Sequence, residues 1–390
     1  MTSPVAQFTE RLLSFYDDER ARRSTDDDPI TRARNYRQRL FAAGLAGLSI
    51  PTDLGGQGLS ANEAAAITAA CSRHQPPEES IFGIGLSMAV PTILEYGSNE
   101  LQQRVVPPSL SGDAIWCQLY SEPGAGSDLA GLTTRAVHDG DEWIITGQKV
   151  WTSGAQHSDL GILIARTNPD APKHSGITMF VIDMRQPAVT VRPLVQMTGV
   201  AEFNEVFLDE ARVPHDNIVG TVNEGWPIAV RLLAHERASL GRTFTSSKGL
   251  SKAGRQPLPF DRLLHRARSA GLTTDTITRD ELASVYIGEK LIGWNASRRL
   301  HPSIGKLWRT IQGRAAAQLA HRIGGPFAAA WEHSDAEADY WAYHVLNCRG
   351  MSLGGGTDEI QRNTLGERVL DLPREPMPDK NTPFRDLPHN

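Results

Sequence analysis

Residues 120–128 combine small residues with hydroxyl groups and read Tyr-Ser-Glu-Pro-Gly-Ala-Gly-Ser-Asp. Glycine and alanine leave backbone N–H groups accessible, so such a run can approach a ligand closely and donate to an anion or to a flat polar ring. A hydroxyl lies on each side of the small residues, at Ser121 and Ser127. The segment therefore predicts a ligand-binding loop, although a plain turn has the same composition.

A second group of potential ligand contacts follows at residues 147–153, which read Gly-Gln-Lys-Val-Trp-Thr-Ser. The indole of Trp151 can form an apolar wall, and the hydroxyls of Thr152 and Ser153 can make directed hydrogen bonds. An aromatic wall with a few directed polar groups is typical of a cofactor site. The segment between the two groups alternates in polarity, so we expect one β-scaffold to bring both loops into one pocket.

The elements that must position these loops change in type along the chain. Apolar residues recur at helical spacing up to residue 112 and again from Gly225, whereas short runs of β-branched and aromatic residues occupy 113–217. Short strands without intervening helices predict an antiparallel β-barrel or sandwich. The predicted fold is a multi-domain α+β protein, with an N-terminal helical domain at 1–112, a middle β-domain at 113–217 and a C-terminal helical domain at 218–390.

Within this plan the pattern predicts individual elements. The strands are expected at 142–146, 160–165, 176–183, 189–194 and 204–208. The C-terminal helices are expected at 226–240, 279–300, 303–323 and 358–370. Ser60 is expected to cap a helix, and residues 244–262 are predicted to form a loop.

Length, composition and charge exclude several classes of protein. A chain of 390 residues is too long for one ordinary core. The net charge is −5 and no block of Lys or Arg indicates a nucleic-acid partner. No apolar run reaches membrane-spanning length, and the N-terminus lacks a signal-peptide pattern, so we expect a soluble, cytoplasmic protein. Cys71, Cys117 and Cys348 fit no metal-binding pattern and are predicted to be reduced core residues.

Three segments together resemble the acyl-CoA dehydrogenases: residues 120–130, residues 147–153 and residues 354–363, which read Gly-Gly-Gly-Thr-Asp-Glu-Ile-Gln-Arg-Asn. They occur in the order and spacing of that family, and the resemblance extends over nearly the whole chain. The family fold has an N-terminal helical domain, a middle β-domain and a C-terminal four-helix bundle that mediates tetramer formation. FAD lies between the β-domain and the bundle, and a neighbouring subunit supplies part of its site.

The resemblance implies roles for individual residues at matching motif positions. Trp151 resembles the tryptophan that lies against the flavin, and Ser153 the hydroxyl near its N5 atom. Ser127 resembles the serine that contacts the substrate near its pantetheine portion. Thr357 and Glu359 match positions that contact the flavin of the dimer mate. The complete set of cofactor contacts implied within the first two motifs is Leu119, Tyr120, Ser121, Gly126, Ser127, Trp151, Thr152 and Ser153.

The implied reaction is α,β-dehydrogenation of an acyl-CoA thioester to the trans-2-enoyl-CoA. A carboxylate removes the α-proton while a hydride passes from the β-carbon to flavin N5, and the electrons then reach an electron-transfer flavoprotein. The base should be a carboxylate in a closed apolar site, where desolvation raises its pKa towards working pH. Many family members carry this glutamate immediately before the Gly-Thr of the third motif, but Gly355 occupies that position here.

Glu236 is our candidate for the base. In the branch that includes isovaleryl- and long-chain-type enzymes the base lies on a C-terminal helix, and Glu236 followed by Arg237 matches that position. Leu232, Glu236 and Leu240 are four residues apart, which places the carboxylate on an apolar helical stripe. A carboxylate there is costly unless it is paired or used, so a buried structural ion pair is the alternative. Gly355 is then expected to offer a backbone N–H to the thioester oxygen, and Arg237 to contact the substrate.

Two family features that face the partner subunit have no counterpart. The arginine that reaches the partner's FAD pyrophosphate cannot be placed in 243–260, and a Gln-x-x-Gly-Gly motif occurs at 321–325 as His-Arg-Ile-Gly-Gly. Either other contacts hold FAD, such as Arg255 or Arg322, or the chain forms a heterotetramer with a homologous subunit and not a homotetramer. Heteromeric enzymes of this kind occur in actinobacterial steroid catabolism. The competing functions are a fold-related flavin oxidase or monooxygenase and a partner subunit without turnover.

Overall fold

In the described part of the chain, helices precede and follow one β-sheet. The computed structural model describes residues 4–22, 28–71, 80–243, 258–298, 300–330, 337–374 and 381–388, without the side chains of 236–243 and 296. The helices in these ranges are α1 (Pro4–Ala21), α2 (Pro29–Ala42), α3 (Ala61–Ala70), α4 (Val90–Tyr96), α5 (Asn99–Ser111), α6 (Gly225–Thr243), α7 (Phe260–Ser269), α8 (Thr276–Ser297), α9 (Pro302–Gly324), α10 (Ala338–Asn347), α11 (Gly350–Leu353) and α12 (Asp358–Arg368).

The sheet has eight strands and carries the first two motifs. Seven strands follow the order β6-β7-β3-β2-β4-β5-β8, and β1 pairs with β4 outside this path. The five predicted strands are confirmed, and β3 and β7 extend several residues beyond the predicted ends. The strands are β1 (Trp116–Leu119), β2 (Arg135–Asp139), β3 (Glu142–Ser153), β4 (Leu160–Arg166), β5 (Ile177–Asp183), β6 (Val189–Leu194), β7 (Phe203–Pro214) and β8 (Ile218–Val219).

The strand pairings are antiparallel, as predicted, with two exceptions on β4. β1 runs parallel to β4 with Leu119 opposite Leu163, and β2 adds one parallel pair between Arg135 and Arg166. Parallel neighbours need a crossover connection. Here the first motif and the β2–β3 hairpin form that connection, so the motif loop directly follows the end of β1.

β4 and β5 lie between two hydrophobic cores, one on each face of the sheet. Ile162 and Ile164 pack on one face of the sheet, in a core that also contains Leu232 of α6. Leu163 and Phe180 pack on the opposite face among residues of β3 and β7. Strands buried on both faces carry continuous apolar runs, which explains why these two segments lack the alternation typical of half-exposed strands.

The helix cap predicted at Ser60 is confirmed, whereas the loop predicted at 244–262 is partly wrong. Ser60 caps α3 through a capping box with Glu63, in which each side chain bonds the other residue's backbone N–H. The predicted loop at 244–262 is wrong over its last residues because α7 begins at Phe260. Leu263 of α7 is fully buried against the C-terminal core, so tertiary packing stabilises this short helix. Residues 244–257 lie outside the described part of the chain.

Four of the C-terminal helices pack around one core. α7, α8, α9 and α10 contribute Leu263, Leu282, Leu319 and Trp341 to it. The region is helical, as predicted. Cys71, Cys117 and Cys348 are all buried and free, as expected for small core residues. Among the described residues, no helix has both the length and the apolarity that crossing a membrane requires.

Substitution of Gly147 tests how closely β3 approaches the residue before β2. A Cβ at position 147 would lie 2.4 Å from Thr134 Oγ1 and 2.8 Å from Thr134 Cα. We expect Gly147→Ala to lower the free energy of unfolding by about 1–3 kcal/mol through overpacking. Chemical denaturation measures this change. Gly293→Ala, at an open position in α8, is the matched control and should not destabilise. An unchanged midpoint for Gly147→Ala would contradict the close approach.

Candidate active site

A buried ion pair joins the two motif loops. The Lys149 ammonium on β3 lies 2.8 Å from Glu122 Oε1 and donates to the Tyr120 carbonyl at 3.0 Å. Glu122 also accepts hydrogen bonds from the backbone N–H groups of Thr133 and Thr134 at 2.7 and 3.0 Å. The Lys149 side chain is fully buried and that of Glu122 is 5% exposed. Each charge therefore has several partners where water cannot solvate it.

These contacts fix the ionised state of Glu122. Burial alone would raise the pKa of this carboxyl, but the Lys149 ammonium and the hydrogen bonds from Thr133 and Thr134 lower it to about 2. Within the 120–128 segment the sequence indicates no role for Glu122 beyond a possible turn. The opposite charges of Glu122 and Lys149 in two separate motifs were the one sequence feature that could have indicated an ion pair. Whether they pair depends on how β1 and β3 are placed.

The ion pair brings the predicted contacts of both motifs side by side. Val150 N–H donates to the Ser121 carbonyl at 2.9 Å, so Ser121 lies next to the residue that precedes Trp151. Glu122 and Ala125 exchange two backbone hydrogen bonds of 3.0 Å, which close the turn at Pro123-Gly124. Leu119 and Tyr120 are buried beneath this turn. The expectation that one scaffold carries both loops is confirmed.

A β-bulge controls where Trp151 points. Lys149 pairs with Val206 and Thr152 with Asn204, so two residues of β3 face one residue of β7. Trp151 adopts a φ of +59°, a conformation that is unfavourable for a bulky side chain. Trp151 is 60% exposed, and its indole contacts the Phe203 ring edge-on, with the ring centroids 5.8 Å apart. Strain of this kind is concentrated at functional sites, where surrounding contacts maintain it.

The two hydroxyls after Trp151 have different environments. Thr152 is 1% exposed, and its hydroxyl has no hydrogen-bond partner among the described residues. The Thr152 carbonyl accepts from Asn204 Nδ2 at 2.9 Å, which fixes the backbone beyond the bulge. Ser153 remains partly exposed at the end of β3. Of the two side chains, Ser153 is the one that a ligand on the open side of the strand can contact.

The small-residue part of the first motif faces open space. A Cβ at Gly126 would meet no atom within 4 Å, and Ser127 is exposed. Asp128 is held at 2.5 Å by Lys173 from the connection between β4 and β5. The turn is therefore anchored at both ends while residues between the anchors remain accessible. Such an arrangement suits a loop that contacts a ligand through its backbone.

The third motif lies on a different surface, at the start of α12. Asp358 is buried and binds Lys306 at 2.8 Å and Thr310 at 2.9 Å, both on α9. Thr357 caps the helix by accepting from Ile360 N–H, and Glu359 is exposed beside Arg362. The Asp358 carboxylate therefore anchors α12 to α9.

Gly355 lies just before α12, at a φ of +68°. A Cβ there would meet no atom within 4 Å, so space beside its backbone is open. The Gly355 carbonyl accepts from Gln361 Nε2 at 2.8 Å, which fixes the orientation of this peptide segment. The role predicted for its N–H stays a prediction.

The candidate base lies on α6, but its side chain is outside the described residues. The helix contains Glu236 and Arg237, as predicted, and the fully buried Leu232 one turn earlier lies on the predicted apolar stripe. The two side-chain roles stay predictions.

A charged network that no local sequence motif indicates fixes α6 against α4. Arg231 makes a bidentate ion pair with Glu95 at 2.8 and 2.9 Å. His235 Nε2 lies 3.0 Å from Glu95 Oε1. The Arg231 guanidinium lowers the pKa of the Glu95 carboxyl, mainly by hydrogen bonding. Glu95 therefore contacts both α6 side chains.

The structure describes only part of the two segments, 243–260 and 321–325, in which the sequence differs from the family pattern. Arg255 lies outside the described residues. Arg322 is paired with Glu281 of α8. His321 is exposed near the end of α9.

Comparisons with known proteins identify the family. The family models "Acyl-CoA dehydrogenase, N-terminal domain" and "Acyl-CoA dehydrogenase, middle domain" match residues 3–113 and 117–211. The acyl-CoA dehydrogenase IpdE1 of Mycobacterium tuberculosis is 36% identical over 365 residues, which cover 90% of each chain. The chain belongs to the acyl-CoA dehydrogenase family. It is accordingly an oxidoreductase that acts on CH–CH donors.

Solved structures of acyl-CoA dehydrogenases share the fold. The structure described as "Tcur3481-Tcur3483 steroid ACAD" is 26% identical with a TM-score of 0.73, and it covers 96% of this chain and 99% of that chain. The ChsE4-ChsE5 complex from Mycobacterium tuberculosis is 27% identical with a TM-score of 0.69, with coverage of 96% and 99%. Both descriptions name two components.

The pH dependence of stability tests the Glu122–Lys149 pair of this acyl-CoA dehydrogenase. The folded pKa of Glu122 is about 2 and the ordinary value is 4.5, so its stabilisation is present above pH about 4.5 and is lost as pH falls towards 2. Glu122→Gln should make the loss of stability below pH 5 shallower. At pH 7 the variant should lose about 3–5 kcal/mol of unfolding free energy, because the Lys149 charge stays buried without its partner.

Chemical denaturation at a series of pH values measures both effects. The matched control is Glu142→Gln, which removes a carboxylate from an exposed ion pair with Arg212 on the same sheet. This control should change stability little at either pH. Equal changes in unfolding free energy, and in its pH dependence, for the two variants would refute a stabilising role for the buried pair.

Proposed function

We propose that the protein catalyses FAD-dependent α,β-dehydrogenation of an acyl-CoA thioester. The observation that carries this proposal is the Glu122–Lys149 ion pair. It places Tyr120 and Ser121 beside the bulge that presents Trp151. Family membership supplies the reaction class, and this arrangement supports the cofactor.

The residues of the two motif loops fit a flavin. The Trp151 indole offers a large flat apolar surface that is 60% exposed, and a bulge holds it in an unfavourable backbone conformation. The turn at Gly126 has open space for a ligand beside its backbone. We propose that the cofactor surface is formed by Ser121, Gly126, Ser127, Trp151 and Ser153. The buried Leu119, Tyr120 and Thr152 would contribute to it through their backbone. When bound, FAD would supply the acceptor for the hydride that leaves the substrate β-carbon.

Glu236 is our proposed base for the α-proton. α6 carries it, and α6 is held by the buried Leu232 and by the ion pair of Arg231 with Glu95 on α4. A helix fixed on two sides can keep a carboxylate in one position relative to a thioester. The backbone N–H of Gly355 and the Arg237 side chain would act on the substrate. Delivery of the electrons to an electron-transfer flavoprotein and a cytoplasmic location are part of the same proposal.

The second candidate concerns assembly. We propose that the chain is one subunit of a heterotetramer that acts on a steroid-type acyl-CoA. The structurally similar steroid ACAD and ChsE4-ChsE5 proteins are both described with two components. In this chain the partner-side arginine and glutamine are missing, and Arg322 is paired with Glu281. Thr357 and Glu359 would then contact a flavin whose other contacts come from a different subunit.

Replacement of Glu236 tests the assignment of the base. Glu236→Gln should retain bound FAD and reduce the rate at which an acyl-CoA bleaches the flavin anaerobically by about 10²–10⁴-fold. Stopped-flow absorbance measures this rate. Glu100→Gln, an exposed position on α5, serves as the control and should bleach like the wild type. Bleaching at the wild-type rate in Glu236→Gln would show that another group is the base.

Purification of the chain alone, and together with a co-encoded homologue, tests the assembly. We expect the chain alone to carry well under one flavin per polypeptide, and co-expression to restore a fixed flavin content and a single larger oligomer. Visible absorbance and light scattering measure both quantities. A stoichiometric flavin in a homotetramer of the chain alone would exclude the obligate heteromer.

A further inference from the structure

The end of the chain lies along the connection between β4 and β5. We name residues 381–388 the C-terminal strap. Phe384 N–H donates to the Ala171 carbonyl at 2.9 Å, and Arg385 N–H donates to the Pro169 carbonyl at 3.1 Å. The Arg385 side chain pairs with Asp170 at the surface. Backbone hydrogen bonds thus attach the strap to this connection independently of its side chains.

Phe384 covers a buried cation. Its ring is 6% exposed, and its centroid lies 3.7 Å from the guanidinium carbon of Arg166, which is itself only 4% exposed. Burial lowers the pKa of Arg166 to about 10, although the Glu122 carboxylate opposes this effect. A desolvated guanidinium over an aromatic face gains more from the ring than an exposed one does. The strap therefore stabilises the charged form of Arg166.

Arg166 in turn holds the segment that follows the first motif. Its Nη2 donates to the Ala130 carbonyl at 2.6 Å, and its backbone N–H donates to the Thr134 carbonyl at 2.7 Å. Its Nη1 donates to the Lys173 carbonyl at 3.0 Å, and the Lys173 ammonium binds Asp128. The Arg166 guanidinium thus links Ala130 to the strap, and the Arg166 backbone holds Thr134.

We propose that Phe384 is a positioning residue for the loop at residues 122–134, and that it acts through Arg166. The carboxylate of the Glu122–Lys149 pair joins the start of this loop to the N–H groups of Thr133 and Thr134 at its end, and the Arg166 guanidinium under the Phe384 ring holds Ala130 between them. The importance of this loop for FAD rests on the proposed function, whereas its dependence on Phe384 does not.

Hydrogen–deuterium exchange of the full chain tests this proposal without requiring a cofactor. Phe384→Ala should increase exchange of the protected amides within 122–134 about tenfold, from the cation–π contribution. Amides of β3 and β7 should keep wild-type protection, which shows that the variant is folded. Phe384→Tyr keeps the aromatic face and should restore wild-type exchange. Arg385→Ala removes only the surface pair with Asp170 and serves as the matched control.

Two outcomes would overturn the proposal. One is wild-type exchange within 122–134 in Phe384→Ala. The other is equally faster exchange across β3 and β7, which would make Phe384 a general stabilising residue. Retention of FAD after gel filtration is the second measurement, and Phe384→Ala should lose flavin faster than Phe384→Tyr. If the wild-type chain binds no FAD even when it is co-expressed with its homologue, the proposed function fails, while the exchange result still decides the role of Phe384.

Discussion

The ion pair between Glu122 and Lys149 lies at the centre of the site, in an interior where an isolated charge would be strongly destabilising. It is tolerated because the carboxylate accepts hydrogen bonds from two consecutive backbone N–H groups, and because the ammonium also binds the Tyr120 carbonyl. Polar networks of this kind are stable only when every member is satisfied. The pair connects the end of β1, the start of β2 and the middle of β3. A shift of any one of these segments would therefore disturb the contacts of the other two.

The geometry around Trp151 follows from this constraint. Lys149 points inward to reach Glu122, and the bulge that begins after it redirects the chain so that the indole faces outwards. The unfavourable φ at Trp151 persists because Val150 is bonded to the Ser121 carbonyl and Thr152 to Asn204, one on each side of it. A rigid frame therefore surrounds one exposed aromatic surface. This arrangement is what a preorganised cofactor site requires, since little ordering is left to occur on binding.

Two further charged contacts extend the frame beyond the sheet. Arg166 links the loop to the β4–β5 connection and to the C-terminal strap, while Arg231 links α6 to α4. The third motif belongs to a separate unit, because Asp358 is bound to α9 and the exposed residues beside it do not contribute to this frame.

The sequence by itself determined the order of helices, sheet and helices, the five predicted strands, the cap at Ser60 and the family, because each depends on local periodicity or on contiguous motifs. Tertiary structure alone decided the partner of Glu122, the burial of Arg166 beneath Phe384 and the contact of His235 with Glu95. It also decided that β1 runs parallel to β4 and that α7 begins at Phe260. These features join residues that are tens or hundreds of positions apart, or depend on burial against a distant helix. No local pattern encodes which distant surface a side chain will meet.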